Sequence, residues 1–139
     1  MLPAITVQTS IQAPLDICWQ IFTKPAEILQ FNNPFPHWHT ARVTIDFKET
    51  GRYFYRMEAK DGSEGFDFAG TYQCIVPYQR IEYMGDDGRT TLHVFTRDGN
   101  NTVLTETFEP DAHTPISLQQ SFCQNLLDSF KQYVEEKRG

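Results

Sequence analysis

Six strand patterns follow one another from Ala41 to Pro110, and one long helical pattern comes after them. The strands are predicted near residues 41–47, 51–60, 63–76, 79–86, 89–97 and 102–109, with turn sequences such as Asp61-Gly62 and Asp87-Gly88 between them. Because no helical pattern interrupts this run, a sheet of parallel strands that alternate with helices is excluded. The sequence therefore predicts an antiparallel meander.

The two ends of the chain supply the remaining elements. Apolar and polar side chains alternate over Ala4–Ile11, which is typical of a half-buried strand. A short helix is predicted to open around Pro14 and to break at Lys24, and Pro25 begins a further turn or two. The interval 116–137 predicts one long amphipathic helix. The predicted fold class is α+β, with about seven strands in a curved antiparallel sheet around the C-terminal helix and two short helices after the first strand.

Length, charge and cysteine usage limit the possible functions. The 139 residues fit a single domain, 1–139, because one hydrophobic core commonly serves about 100–150 residues. A net charge of −6 without a run of Lys or Arg disfavours nucleic-acid binding. The three distant cysteines are interpreted as reduced core residues, with no metal site and no cofactor. The sequence shows neither a signal-peptide pattern nor an apolar run long enough for membrane insertion, so we expect a cytoplasmic protein.

The hairpin from Tyr53 to Tyr72 can be placed in register from its turn. If Asp61-Gly62 is a two-residue type I′ turn, the cross-strand pairs are Met57 with Phe66, Arg56 with Asp67, and Tyr55 with Phe68. A three-residue Asp61-Gly62-Ser63 loop would shift this register. Side chains then separate onto two faces. One face carries Tyr53, Tyr55, Met57, Phe66 and Phe68; the other carries Arg52, Phe54, Arg56, Glu58, Asp67 and Ala69.

The same hairpin carries a resemblance to a known family. The strings Trp38-His39-Thr40, Arg56-Met57-Glu58-Ala59-Lys60-Asp61-Gly62-Ser63, Gly65-Phe66-Asp67-Phe68 and Gly70-Thr71-Tyr72, with Asp46 and Gly51, resemble the SRPBCC (START/Bet v-like) superfamily. They are most similar to its bacterial branch related to the activator of the heat-shock-protein-ninety ATPase. The resemblance implies a helix-grip fold whose cavity, between sheet and C-terminal helix, often holds a lipid, polyketide or other hydrophobic small molecule. It implies no single chemistry.

Candidate cavity residues come from three segments. On the hairpin we expect a polar floor of Arg56, Glu58 and Asp67, with Phe54 on the same face; the alternative is a solvated outer face with a surface salt bridge. The Pro- and Asn-rich stretch 32–39 is predicted to be a loop over one end of the sheet, which brings Trp38 and His39 to the cavity mouth. The helix contributes Phe122, Leu126 and Phe130.

Three functions remain open from the sequence. The leading hypothesis is noncatalytic binding of a hydrophobic small molecule. The second is a cyclase- or dehydratase-like enzyme with an acid or base among Glu58, Asp67 and His39. Glu82 with Glu106 is another carboxylate pair that could do acid–base work, and His93 is interpreted as a lone histidine that is structural or exposed. The third is a module that stimulates a chaperone ATPase, with the chaperone as a protein partner. A free sheet edge would permit either a monomer or a homodimer.

Overall fold

The computed structural model of the protein describes residues 3–33 and 35–138. These residues form ten elements: β1 (Ile5–Ile11), α1 (Leu15–Phe22), α2 (Pro25–Phe31), β2 (Trp38–Ile45), β3 (Arg52–Ala59), β4 (Gly65–Val76), β5 (Arg80–Gly85), β6 (Thr90–Asp98), β7 (Asn101–Phe108) and α3 (Ile116–Arg138). The seven strands form one curved antiparallel sheet in the order β1-β7-β6-β5-β4-β3-β2, so β1 and β2 are its edges. The predicted α+β helix-grip architecture is confirmed.

Helix α3 packs on the face of the sheet that carries the hydrophobic core. Leu127, Phe130 and Val134 on this helix are fully or almost fully buried. The ring of Phe130 lies 5.0 Å from that of Phe22 and 4.8 Å from that of Phe31, so the three helices meet around it. We call the face of the sheet beneath α3 the inner face and the opposite one the outer face. None of the helices in the described residues is both long and apolar enough to cross a membrane.

The β3–β4 hairpin has the predicted register. Met57 pairs with Phe66, Arg56 with Asp67, and Tyr55 with Phe68. The predicted type I′ turn is wrong, however, because that turn needs positive φ at both central residues and only Gly62, with φ of 78°, has it. The Gly62 N–H instead donates to the Ala59 carbonyl over 3.0 Å, and the Ala59 N–H donates to the Glu64 carbonyl. The loop is one residue longer on each side than the predicted turn. Because both strands are shortened equally, the remaining cross-strand pairs stay the same.

Strand β2 begins earlier than the composition suggests. The predicted loop over 32–39 is wrong at its end, since Trp38 pairs with Ala59 and His39 with Glu58. Two hydrogen bonds hold the preceding segment against the new strand: the Thr40 N–H donates to Asn33 Oδ1 over 2.8 Å, and the Asn32 side-chain amide donates to Thr40 Oγ1 over 3.0 Å. Pro34, in the predicted loop, lies outside the described residues. Pairing with β3 thus outweighs the local preference of a Pro- and Asn-rich stretch.

A candidate ligand-binding cleft

An apolar cleft opens between the tip of the β3–β4 hairpin and the first half of α3. Its volume is about 260 Å³, and its lining residues are Phe35, Trp38, Met57, Phe66 and Phe122. The rings of Trp38 and Phe66 lie 5.7 Å apart, and those of Phe35 and Phe122 lie 5.4 Å apart. Phe66 nevertheless remains 50% exposed and Phe122 39% exposed. The protein's own side chains therefore leave apolar surface uncovered in this cleft.

Aromatic side chains continue from the cleft across the inner face of the sheet. The Tyr53 ring lies 5.4 Å from Phe68 and 5.1 Å from Tyr83, and the Tyr55 ring lies 5.7 Å from Phe68. Burial raises the pKa of the Tyr53, Tyr55 and Tyr83 hydroxyls above the usual tyrosine value, so all three are neutral at physiological pH. The inner face thus combines aromatic surface with neutral hydroxyl groups.

Gly70 makes room for one of these tyrosines. A Cβ atom at this position would overlap the Tyr53 hydroxyl oxygen and the Met84 carbonyl oxygen. The Tyr53 hydroxyl is buried, and the described residues offer it no hydrogen-bond partner. Only glycine lets the ring lie flat across β4 at this point.

A buried polar pair lies on the same inner face, where β6 meets β7. His93 and Glu106 are each only 4% exposed, and His93 Nε2 lies 3.1 Å from Glu106 Oε1. The His93 ring stacks on Tyr83 with their centroids 5.6 Å apart. Burial, together with the charge of Glu106 and a hydrogen bond to it, raises the pKa of the Cys123 thiol. In residues 3–33 and 35–137, no three His, Cys, Asp or Glu side chains are placed to hold a metal ion.

The raised pKa of Cys123 predicts that its thiol reacts slowly with alkylating agents. At pH 8 its thiolate fraction is small, so we expect iodoacetamide to alkylate Cys123 at least about tenfold more slowly than free cysteine. Glu106→Gln should increase the rate because it removes the adjacent negative charge, whereas Glu82→Gln, on the outer face, should not. Peptide mapping by mass spectrometry measures the rate at each cysteine. Alkylation of Cys123 as fast as free cysteine would contradict this assignment.

The predicted polar floor of the cavity is wrong. Arg56, Glu58 and Asp67 lie on the outer face, because they alternate with Tyr53, Tyr55 and Met57, whose side chains face the core. Arg56 donates hydrogen bonds to Glu58 over 3.1 Å and to Asp67 over 3.0 Å, and these groups keep about a third to a half of their surface exposed. They form the solvated salt-bridge network that was the alternative interpretation.

The remaining candidates divide between the two faces and the core. Trp38 and Phe122 do line the cleft. Phe54 lies on the outer face, where the Arg42 guanidinium covers its ring at 5.6 Å, and His39 shares that face with its ladder partner Glu58. Phe130 belongs to the core and Leu126 is half-buried, and neither is among the lining residues. An acid–base site inside the cavity built from Glu58, Asp67 and His39 is contradicted by this placement.

The outer-face network gives a prediction with a built-in contrast. Arg56→Gln removes the cation that both carboxylates share, yet no side chain in the network reaches the cleft. We expect this variant to bind hydrophobic probes as the wild type does, with a small loss of stability that shrinks as salt is added. Fluorescence titration and urea denaturation at two salt concentrations measure these quantities. A large loss of probe affinity would contradict the assignment of Arg56 to the outer face.

Comparison with known proteins agrees with the fold and the sequence pattern. Residues 12–135 match the family described as activator of Hsp90 ATPase homolog 1-like protein. The chain is 32% identical to the AHSA1-like protein from Aeromonas hydrophila, over 97% of this chain and 94% of that one, with a TM-score of 0.91. It is 38% identical to Chr148 from Cytophaga hutchinsonii, over 96% and 93% of the two chains, with a TM-score of 0.84.

A more distant structure shows the same fold. Protein NE0264 from Nitrosomonas europaea has a TM-score of 0.83 to this chain at 12% identity, over 98% of this chain and 96% of that one. No curated protein matches the chain in sequence.

Proposed function

Since this chain belongs to the family of activator of Hsp90 ATPase homolog 1-like proteins, whose fold commonly binds hydrophobic ligands, we propose that it binds a hydrophobic small molecule without chemical conversion. The proposed site is the cleft between the β3–β4 hairpin and the first half of α3. The ligand would lie against Trp38, Phe66 and Phe122 and continue over the aromatic inner face.

The observation that carries this proposal is the uncovered aromatic surface of the cleft. Phe66, Phe68 and Phe122 all lie at or beside the cleft and are between 37% and 50% exposed. Covering such surface is worth about 25 cal/mol for each Å² removed from water, so an apolar ligand gains binding free energy there. A concave apolar site with few polar groups is the usual form of a small-molecule pocket.

A noncatalytic role agrees with the state of the titratable groups around the cleft. The Cys123 thiol is protonated because burial and Glu106 raise its pKa, so it is a poor nucleophile. The tyrosine hydroxyls are likewise held neutral by burial, which makes them poor bases. These groups are suited to donating and accepting hydrogen bonds rather than to covalent chemistry.

Native mass spectrometry and a fluorescence titration test the proposal together. We expect purified protein to carry a copurified apolar molecule, and the delipidated protein to bind the neutral probe N-phenyl-1-naphthylamine with an increase in its fluorescence. Trp38→Ala should weaken probe binding because it removes one wall of the cleft. Repeated recovery of ligand-free protein that also leaves the probe fluorescence unchanged would refute it.

A chaperone interaction is a second proposal, supported by the family description and by the start of α3. Ile116 is 41% exposed and Leu118 is 61% exposed, which gives this end of the helix an apolar surface of its own. A pull-down with the cellular Hsp90-type chaperone and an ATPase assay test it, with Leu118→Asp as the variant. Unchanged ATP turnover at saturating protein would exclude this role.

A further inference from the structure

The His93–Glu106 pair is a costly feature for a hydrophobic interior. The two side chains are only 5% and 6% exposed, and a buried carboxylate needs hydrogen bonds to offset its lost hydration. His93 Nε2 lies 3.1 Å from Glu106 Oε1, and an ionised Glu106 carboxylate accepts a hydrogen bond from that nitrogen. With Nε2 as the donor, the other ring nitrogen of His93 carries a lone pair that accepts hydrogen bonds. This Nδ1 atom is buried, and no group in the described part of the chain bonds to it.

Side chains of the sheet and of α3 extend from the cleft towards the pair. On the sheet, Phe68 follows the lining residue Phe66 on the same face and lies 6.5 Å from Tyr83, which stacks on His93. On the helix, Cys123 follows the lining residue Phe122, and the charge of Glu106 contributes to the raised pKa of its thiol. Tyr83, which stacks on His93, and Cys123, whose thiol pKa is raised by Glu106, are only half-buried and so reach the protein surface.

The carboxylate of Glu106 adds negative charge to this region. The charge of Glu106 contributes to the raised pKa of both Tyr83 and Cys123, on opposite sides of the pair. The charge of Arg89 opposes this effect at Cys123, but its guanidinium is already paired with Asp87 at 2.7 Å. A carboxylate or sulfonate ligand beside Glu106 would therefore meet like charge, and Arg89 is already engaged by Asp87.

We propose, on the basis of the ligand-binding function above, that His93 and Glu106 form the polar end of the cleft. There they select an uncharged hydrophobic ligand whose head group, an alcohol or a phenol, donates a hydrogen bond to His93 Nδ1. Glu106 holds the imidazole in the tautomer that accepts this bond and excludes anionic ligands such as fatty acids. Neither residue was singled out for this role by its sequence context.

Three naphthalene probes of one shape test this selection in the wild-type protein. We expect 2-naphthol, which carries a donor, to bind roughly threefold to tenfold more tightly than 2-methoxynaphthalene, which lacks one. The anion 2-naphthoate should bind at least about tenfold more weakly than 2-methoxynaphthalene. Isothermal titration calorimetry at pH 7.5 measures all three affinities. Equal affinities for naphthol and its methyl ether, or naphthoate binding as tight as either, would overturn the proposal.

Two matched variants test whether Glu106 is the residue that disfavours the anionic probe. Glu106→Gln keeps an oxygen that accepts from His93 but removes the charge, so we expect 2-naphthoate to gain at least about fivefold in affinity. Glu82→Gln makes the same change on the outer face and should leave the ranking unaltered. An unchanged naphthoate affinity in Glu106→Gln would overturn the role of Glu106. If Glu106→Gln does not fold, the ranking of the three probe affinities in the wild-type protein still tests the proposal.

The outcome separates this inference from the function on which it rests. Equal binding of the three probes, lost in Trp38→Ala, would refute the selection by His93 and Glu106 and retain the binding cleft. If neither the three probes nor N-phenyl-1-naphthylamine binds, both the selection and the binding cleft are refuted.

Discussion

Replacing Phe130 by Ala should lower the free energy of unfolding by about 3–5 kcal/mol, the usual loss for a buried phenylalanine. The side chain is completely buried, and its ring makes edge contacts with Phe22 and Phe31. It therefore joins α3 to both short helices, and its removal leaves a cavity where the three meet. Urea denaturation followed by circular dichroism measures the loss.

Phe122→Ala is the matched control for this prediction. It makes the same change two turns earlier on the same helix, at a side chain that is 39% exposed and lines the cleft. We expect a loss of about 1 kcal/mol or less, as for partly exposed positions away from the core. Equal losses in the two variants would contradict the division of α3 into a core half and a cleft half.

Phe122→Asp should reduce the affinity for N-phenyl-1-naphthylamine by more than about tenfold. A carboxylate at this position would lose hydration against an apolar ligand, and nothing apolar would replace the phenylalanine ring. Leu118→Asp places the same charge one turn earlier, at a side chain that is 61% exposed and is not among the lining residues. Fluorescence titration measures both affinities. A similar loss in Leu118→Asp would show that charge on the helix, rather than the cleft, controls binding.

The register of the β3–β4 hairpin could be predicted because strand side chains alternate with a period of two. The choice of inner face could have been predicted as well, but the prediction that the charged face of the hairpin lines the cavity is wrong. One face carries only aromatic and apolar side chains, and burying Arg56, Glu58 and Asp67 instead would have cost the desolvation of three charges.

The His93–Glu106 pair was missed although a similar argument would have found it. The β6–β7 hairpin turns at Gly99, which has positive φ, and Asp98 pairs with Asn101. Stepping back along both strands from that turn brings His93 opposite Glu106. The predictions of a lone His93 and of a Glu82–Glu106 pair do not take this register into account.

Other features depend on tertiary contacts that no local pattern contains. Trp38 and His39 follow a Pro- and Asn-rich stretch, and only pairing with β3 makes them strand residues. The cleft itself exists because α3 packs on β1 and on the short helices through its later turns, while its first turns extend beyond the core. Helical periodicity predicted the apolar stripe of Phe122, Leu126 and Phe130, but not which of the three would line a cleft.

The central claim is that ligands bind on the inner face, between the hairpin and α3, and the most direct test is an NMR titration of isotope-labelled protein with N-phenyl-1-naphthylamine. We predict that chemical-shift changes of side-chain signals concentrate at Trp38, Met57, Phe66 and Phe122. The side-chain signals of Arg52 and Arg56, on the outer face, should be unaffected. Shift changes concentrated on the outer face, or no changes at a saturating probe concentration, would contradict the claim.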